Sequence, residues 1–317
     1  MTAIDLAVVV VSWNTRELTL QALHSLIDDL KTGGLNYAIY VVDNASSDGT
    51  FEAISTVFPE IHLISSNTNL GFVKANNLAL RAIGFDSGHA DLKALPQAVY
   101  LLNPDTITQP GATRALYDTL MSDPEFGLVG ARLTFGDGSF QHSAFGFPGL
   151  FQLWGELFPV PGRFYESRLN GRYPRELYAA GQPFEVDCVL GATMMLRRDV
   201  IVATGIFDER YFMFCEEIDW AWRIYQSGYK VMCVPQAHVI HLSGQSTGQV
   251  RPQTVVRLWT SRLLLFQKFY SAWKFFLAKR LIVLGMKRQL RNLDRTSQDA
   301  DVMADAYQQV IALAQNA

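Results

Sequence analysis

Three places in the sequence gather side chains able to hold a cation, a phosphate or a proton. Asn103-Pro104-Asp105 closes the apolar run Val99–Leu102. A carboxylate at a strand end facing a diphosphate is a natural ligand for Mg²⁺ or Mn²⁺, cations that take oxygen ligands and bind phosphates. Glu216, Glu217 and Asp219 open a helical pattern directly after Tyr211-Phe212-Met213-Phe214. Acids beside so apolar a stretch are costly unless paired or used, and partial burial would make one of them a better general base. On a helix Glu216 and Asp219 share a face while Glu217 points about 100° away, so the two glutamates cannot have one role. His241, just before Ser243-Gly244, is a candidate metal ligand in a loop expected to face a crevice. Each group has a structural alternative. Asn-Pro and Pro-Asp favour turns, acids in a first helical turn suit the helix dipole, and a lone histidine is usually structural.

The elements that would position these groups alternate through the first half. Leu6–Val11 is a continuous apolar, β-branched run, as expected of a strand buried on both faces. Asn14 and Glu17 have the spacing of a capping box, and Leu23, Leu26, Ile27 and Leu30 give the following helix one apolar stripe, ended by Gly33-Gly34. Strands are predicted at Tyr37–Val42, Ile61–Ile64 and Gln97–Leu102, and helices at Asp48–Phe58 and Val73–Ile83. Such alternation implies βαβ units and a mostly parallel α/β sheet with helices on both faces. Ligands bind beyond the carboxyl ends of such strands. Ser12 and Asn14, Asp43 and Asn44, Asn67 and Asn69, and Asn103 and Asp105 should therefore converge on one crevice. Asp43 suits a base N–H or a ribose hydroxyl, although a turn-and-cap role for Asp43 and Asp48 is equally open.

Phe135–Pro183, rich in Gly, Pro and aromatics, is predicted to be a loop-rich excursion over the crevice that touches an acceptor. Order returns with a strand at Val186–Leu196, a helix at Glu216–Ser227 and a short strand at Val231–Val234. The chain divides at residue 250, and 251–317 forms a helical extension. From Arg251 to Asn292 there are ten Lys or Arg and no Asp or Glu, interleaved with bulky apolar residues. That pattern suits a helix lying in a membrane interface, with Arg257, Arg262, Lys268 and Lys274 meeting anionic head groups. Packing of the apolar face on the rest of the protein is the alternative.

Across 317 residues, 49% hydrophobic and 18% charged residues describe a folded protein, and a net charge of −3 gives no reason to expect a nucleic-acid partner. Three cysteines without CxxC spacing argue against a disulfide framework or zinc site. The first residues lack a basic signal region, and no uncharged apolar run reaches membrane-spanning length. A cytoplasmic protein, peripheral on the inner face of the cell membrane, is the expectation. After the first strand there is no Gly-x-Gly-x-x-Gly and no P-loop, which disfavours a dinucleotide-dependent oxidoreductase. The missing glycine-rich loop also disfavours a sugar-nucleotide pyrophosphorylase.

Taken together, the segments resemble family 2 glycosyltransferases of the GT-A fold, particularly the bacterial rhamnosyltransferase-like branch. The matching segments are Val-Val-Val-Ser-Trp-Asn (9–14), Val-Val-Asp-Asn-Ala-Ser-Ser-Asp-Gly-Thr (41–50), Asn-Leu-Gly-Phe-Val-Lys-Ala-Asn-Asn (69–77), Leu-Leu-Asn-Pro-Asp (101–105), Gly-Ala-Thr-Met-Met-Leu-Arg-Arg (191–198), the run 207–223 and the His241 segment. The resemblance implies transfer of a sugar from a dTDP- or UDP-sugar, dTDP-rhamnose first, to a saccharide or lipid-linked saccharide hydroxyl with inversion. It implies that Asp43 binds the nucleoside with Ser12 and Asn14 near the base, and that Asn69, Gly71 and Lys74 lie near ribose and diphosphate. Asp105 would be the metal acid of a D-x-D-like motif whose first acid is here Asn103, with His241 completing the metal site. Glu216-Glu217 stands where the family has Glu-Asp, so Glu217 is the expected base and Asp219 the runner-up. A degenerate domain that only binds nucleotide-sugar or anchors a partner is the competing reading, resting on the Asn103 and Glu217 departures.

Overall fold

The computed structural model describes residues 4–85, 92–243, 251–294, 296 and 299–317. The expected boundary at residue 250, and Gly244 beside His241, lie outside the described residues.

The strands are β1 (Leu6–Ser12), β2 (Tyr37–Asp43), β3 (His62–Ser65), β4 (Ala98–Leu102), β5 (Thr106–Thr108), β6 (Phe126–Thr134), β7 (Phe140–Gln141), β8 (Ala144–Phe145), β9 (Phe184–Val186), β10 (Cys188–Val189), β11 (Thr193–Arg197) and β12 (Lys230–His241). Helices α1 (Arg16–Gly33), α2 (Thr50–Val57), α3 (Gly71–Ile83) and α4 (Ala112–Ser122) connect the early strands. Short helices α5 (Leu150–Leu157), α6 (Gly162–Tyr165) and α7 (Arg175–Ala179) fill the middle, followed by α8 (Arg198–Thr204) and α9 (Glu216–Gln226). Three long helices close the chain: α10 (Arg251–Phe269), α11 (Ala272–Arg291) and α12 (Ala300–Asn316).

The main sheet runs β3-β2-β1-β4-β11-β6-β12-β5. Its first four strands are mutually parallel and β6 is parallel to β12, while β11 runs antiparallel between β4 and β6. The apolar run of β1 is explained by burial on both faces. Ala7, Val9 and Val11 enter a core with α3, α8 and α9, whereas Leu6, Val8 and Val10 enter a second core with α1, α2 and α4. The sheet is thus mixed and mostly parallel, with helices on both faces as predicted.

Several local expectations are corrected. No capping box forms at α1: its N-cap is Thr15, and Asn14 has φ 51° with its side-chain oxygen accepting from the Ser47 backbone N–H. Val186–Leu196 is not one strand, because its three pieces pair with different partners: β9 with β12, β10 with β8, and β11 with β4 and β6. The last strand is longer than Val231–Val234. It continues through Pro235 to His241, with the register against β6 shifting between Val234 and His238. Proline has no N–H to give the ladder, so a bulge there lets the strand resume. His241 therefore ends a strand, paired with Thr106, rather than lying in a following loop.

The C-terminal helices are bound into the protein. Leu153 and Leu157 of α5 join Trp259, Leu263 and Phe266 of α10, Ala278, Ile282 and Met286 of α11, and Val310 and Ala314 of α12 in a third core. The α5–α11 approach is close enough that a Cβ on Gly285 would lie 2.4 Å from Leu157 Cδ2. Another face of α10 holds the sheet domain: Ser261 Oγ donates to the Met213 carbonyl at 2.8 Å, and Lys268 reaches Asp208 (2.8 Å) and Asp219 (2.5 Å). Three of the four cations expected to meet lipid are thus turned inward. Arg257 lies over the Phe212 ring, Arg262 is enclosed and paired with Glu156, and Lys268 makes the ion pairs just named. Lys274 alone of the four sits on the outer side, against Trp273 and Tyr270.

Candidate functional site

A cavity of about 310 Å³ opens at the carboxyl ends of β1, β2 and β4, as the parallel strands require. Trp13, Asn44, Asn69, Gly71, Asn103 and Asp105 line it from the sheet side, with Phe212, Phe214, His241 and Arg257 opposite. Asn44 fixes the entry of α3: its side chain accepts from Leu70 N–H (2.8 Å) and donates to Asn69 Oδ1 (3.2 Å). Gly71 has φ 79°, and a Cβ there would stand 2.5 Å from the Phe212 carbonyl oxygen, so only glycine permits this approach. Asp43, the last residue of β2, accepts from Ser46 N–H through Oδ2, while its enclosed Oδ1 has no partner. Asp43 itself is buried and is not on the cavity wall, which Asn44 next to it supplies, so that oxygen is an acceptor only for an N–H or hydroxyl reaching in past Asn44.

Asp105 and His241 come together, with Nε2 3.4 Å from Oδ1. Among the described residues no group of three or more His, Cys, Asp or Glu forms a cation site. The two still fit a divalent cation whose remaining ligands come from a diphosphate and water. Asn103 Oδ1 is enclosed without a partner, a neutral oxygen available beside them. Gln141 Nε2 lies 3.1 Å from His241 Nδ1, and Gln141 Oε1 has no partner. Exchanging that amide's oxygen and nitrogen lets Gln141 Oε1 accept from His241 Nδ1–H and leaves the lone pair of His241 Nε2, beside Asp105, for a cation.

The acids are set by a tight turn. Phe214 and Cys215 both have positive φ, 69° and 64°, a sparsely populated conformation for residues with a Cβ. The turn leaves Phe214 on the first cavity and delivers Glu217 into a second one of about 300 Å³. Glu216 is buried, and burial together with the Glu217 charge raises its carboxyl far above the usual range. Glu217 is also raised, chiefly by burial, with Arg262 pulling the other way. Oε2 of each is enclosed and unpartnered. Asp219 is different. It is fully buried and bonded by Arg223 Nε (2.8 Å), Lys268 Nζ (2.5 Å) and the Tyr211 hydroxyl (3.3 Å). Its carboxylate is engaged and faces neither cavity, which removes it as runner-up base.

Three more expectations are corrected. Ser12 is buried in a hydroxyl cluster with Thr15 and Thr19 and does not line the cavity. Asn14 instead ties the turn after β1 to the loop after β2. Lys74 is exposed on α3, near Glu209 and away from both cavities. The residues missed were Arg257 on the first cavity and Glu156, Arg172 and Arg262 on the second. Arg262 had a signal: it shares a helical face with Trp259, Leu263 and Phe266, an apolar stripe where a solvent-facing cation does not belong.

The sequence model described as "Glycosyl transferase family 2" matches residues 7–202, and the chain belongs to that family. Within it, the chain is 30% identical over 238 residues to the N-acetylglucosaminyl-diphospho-decaprenol L-rhamnosyltransferase of Mycobacterium tuberculosis, covering 74% of this chain and 76% of that protein. It is 27% identical to the rhamnosyltransferase WbbL of Escherichia coli K12, over 69% of this chain and 78% of that one. Solved GT-A structures share the fold. A mannosyltransferase from Pyrobaculum calidifontis, in complex with GDP-Man and Mn²⁺, matches with TM-score 0.53 and 15% identity over 100% of this chain and 87% of its own. GalNAc-T7 with UDP, GalNAc and Mn²⁺ matches with TM-score 0.58 and 14% identity over 99% of this chain and 56% of its own. The protein is a rhamnosyltransferase-like glycosyltransferase of family 2.

Proposed function

We propose that this chain transfers a sugar, rhamnose from dTDP-rhamnose before a UDP-sugar, to a hydroxyl of a lipid-linked saccharide in cell-surface polysaccharide or glycolipid assembly. The observation that carries the reading is that one turn, Phe214–Glu217, joins a cavity holding Asp105 and His241 to a cavity holding a buried carboxyl. Donor and acceptor then meet across that turn. Trp13, Asn44 and Asp43 receive the nucleoside, and Asn69 and Gly71 shape the ribose and diphosphate end. Asp105 and His241, with Asn103 beside them, would hold Mg²⁺ or Mn²⁺, which neutralises charge on the departing diphosphate. Glu217 takes the acceptor proton as the hydroxyl oxygen forms its bond to the anomeric carbon and the bond to the diphosphate breaks. Attack by that oxygen on the face opposite the leaving group would give inversion.

Release of nucleoside diphosphate, followed with a panel of donors and acceptors, tests the reading, and NMR of the product linkage tests inversion. Release absent with every donor, alongside undiminished nucleotide binding, would favour the degenerate binding domain. The two-member side-chain ligand set is what supports that alternative.

Residence at the inner membrane face belongs to the same proposal. Among the described residues no helix is long and apolar enough to cross a membrane. The outer stripe of α11 instead presents Trp273, Phe276, Leu277 and Leu284 exposed, with Arg280, Lys287 and Arg291 on the same side. This arrangement suits shallow insertion beside anionic head groups. Co-sedimentation with anionic vesicles at low salt should fall on Trp273→Ser plus Phe276→Ser; equal sedimentation of variant and wild type would remove α11 as the contact.

A further inference from the structure

We propose that the second cavity binds a phosphate group of the acceptor, and that Arg262 and Arg172 hold its oxygens. The inference rests on the transferase reading and adds the substrate class on its acceptor side. Arg262 comes from α10, yet its side chain is only 14% exposed. Its Nη2 donates to Glu156 Oε1 at 2.7 Å, whereas Nε and Nη1 have no partner although the residue lines the cavity. Buried donors left open cost free energy in the empty protein, and that cost is relieved by a ligand that accepts from them. Arg172 lines the same cavity from the middle segment, with its guanidinium carbon 4.5 Å from the Phe145 ring centre.

The charges around the cavity favour an anion. Glu156 is engaged with Arg262, which leaves Glu217 as the other acid on the lining. Glu166, the acid nearest in influence to Arg172, is bonded to His142 and Arg175 instead. Two guanidinium groups thus meet fewer free carboxylates than they can pair with. The planar guanidinium fork matches phosphate oxygens, and each such bond is charge-assisted. A volume of about 300 Å³ accommodates a monosaccharide with its phosphate, and Gln152 and Asn170 supply neutral polar wall for hydroxyls. The sugar hydroxyl would lie at Glu217 and the phosphate at the arginines. α10 would then serve both substrates, Arg257 on the donor cavity and Arg262 on the acceptor cavity.

The test titrates inorganic pyrophosphate, by calorimetry, into full-length protein already saturated with dTDP or UDP in excess Mg²⁺. Wild type should bind it, with Arg262→Gln and Arg172→Gln each weakening binding about tenfold or more. In parallel, N-acetylglucosamine joined to a short alkyl chain through a diphosphate is compared as acceptor with the plain alkyl glycoside. Wild type should prefer the diphosphate acceptor, and each variant should lose that preference. If Arg262→Gln does not fold, Arg172→Gln decides. Nucleotide binding without pyrophosphate binding, equal binding by wild type and variants, or no preference between the two acceptors overturns the inference and leaves the transferase reading standing. Failure to bind either nucleotide defeats both.

Discussion

The two cavities meet at one turn but are built by different means. The first is a product of the sheet: Trp13, Asn44, Asn103 and Asp105 follow the ends of strands whose positions are dictated by apolar runs. The second is assembled from pieces distant in sequence, α5, the segment around Asn170 and Arg172, β10, α9 and α10. A cavity at strand ends inherits its location from the fold, so its residues are common to a topology. A cavity built from an excursion and an added helix is free to vary, and there the identity of an acceptor can be encoded.

The comparison breaks first at the donor side. Asp105→Ala should largely abolish transfer while the protein stays folded, because among the described residues it is the carboxylate paired with His241. Turnover measured with Mg²⁺ or Mn²⁺ and again in excess chelator checks it. Full activity under chelation would show that the strand-end cavity handles the diphosphate with protein groups alone.

On the acceptor side, Glu217→Gln should lower turnover by about two orders of magnitude or more with donor affinity nearly unchanged. The raised Glu217 carboxyl must lose its proton to act, so wild-type kcat/KM should rise with pH through that elevated value. The variant should lack this limb. Asp219→Asn makes the contrast. It removes a buried partner of Arg223 and Lys268, a change worth about 3–5 kcal/mol of stability. Its signature should be a lower Tm. A folded Asp219→Asn protein with the pH limb lost and Glu217 dispensable would exchange the two roles.

These contrasts follow what was legible in the sequence. The apolar run of β1 and the Asn103–Asp105 strand end were visible because apolar patterning and turn chemistry act locally, whereas Gly71 entered only through the family resemblance, its constraint coming from distant Phe212. Ser12 and Asn14 misled because a polar residue at a strand end can equally turn back on the protein: Ser12 bonds Thr15 and Thr19 of the next turn, and Asn14 is claimed by Ser46 and Ser47 of the loop after β2. The inward cations of α10 were hidden for another reason. Asp208, Asp219 and Glu156 lie between 49 and 106 positions away from their partners. Charge counted along a segment cannot show which acids the fold brings to it.

The smallest expected effect separates the two glutamates of the turn. Glu216 is enclosed, faces neither cavity and has an unpartnered Oε2, so its carboxyl is kept protonated by burial first and by the Glu217 charge second. A folded-state value above the unfolded one means that folding takes up a proton. Its favourable contribution is complete below the ordinary value of 4.5 and is lost progressively as pH rises toward the elevated one. Gln at this position needs no proton. Glu216→Gln should therefore match wild type in thermal stability at acid pH and exceed it by a few degrees at alkaline pH. Adding Glu217→Gln removes the charge that helps raise Glu216, so the gain from Glu216→Gln should shrink in that background. Thermal melts of the four proteins across pH check both points. A Glu216→Gln gain that is constant with pH would mean the side chain is already ionised in the fold, and the turn would then carry two carboxylates rather than one proton held beside the acceptor cavity.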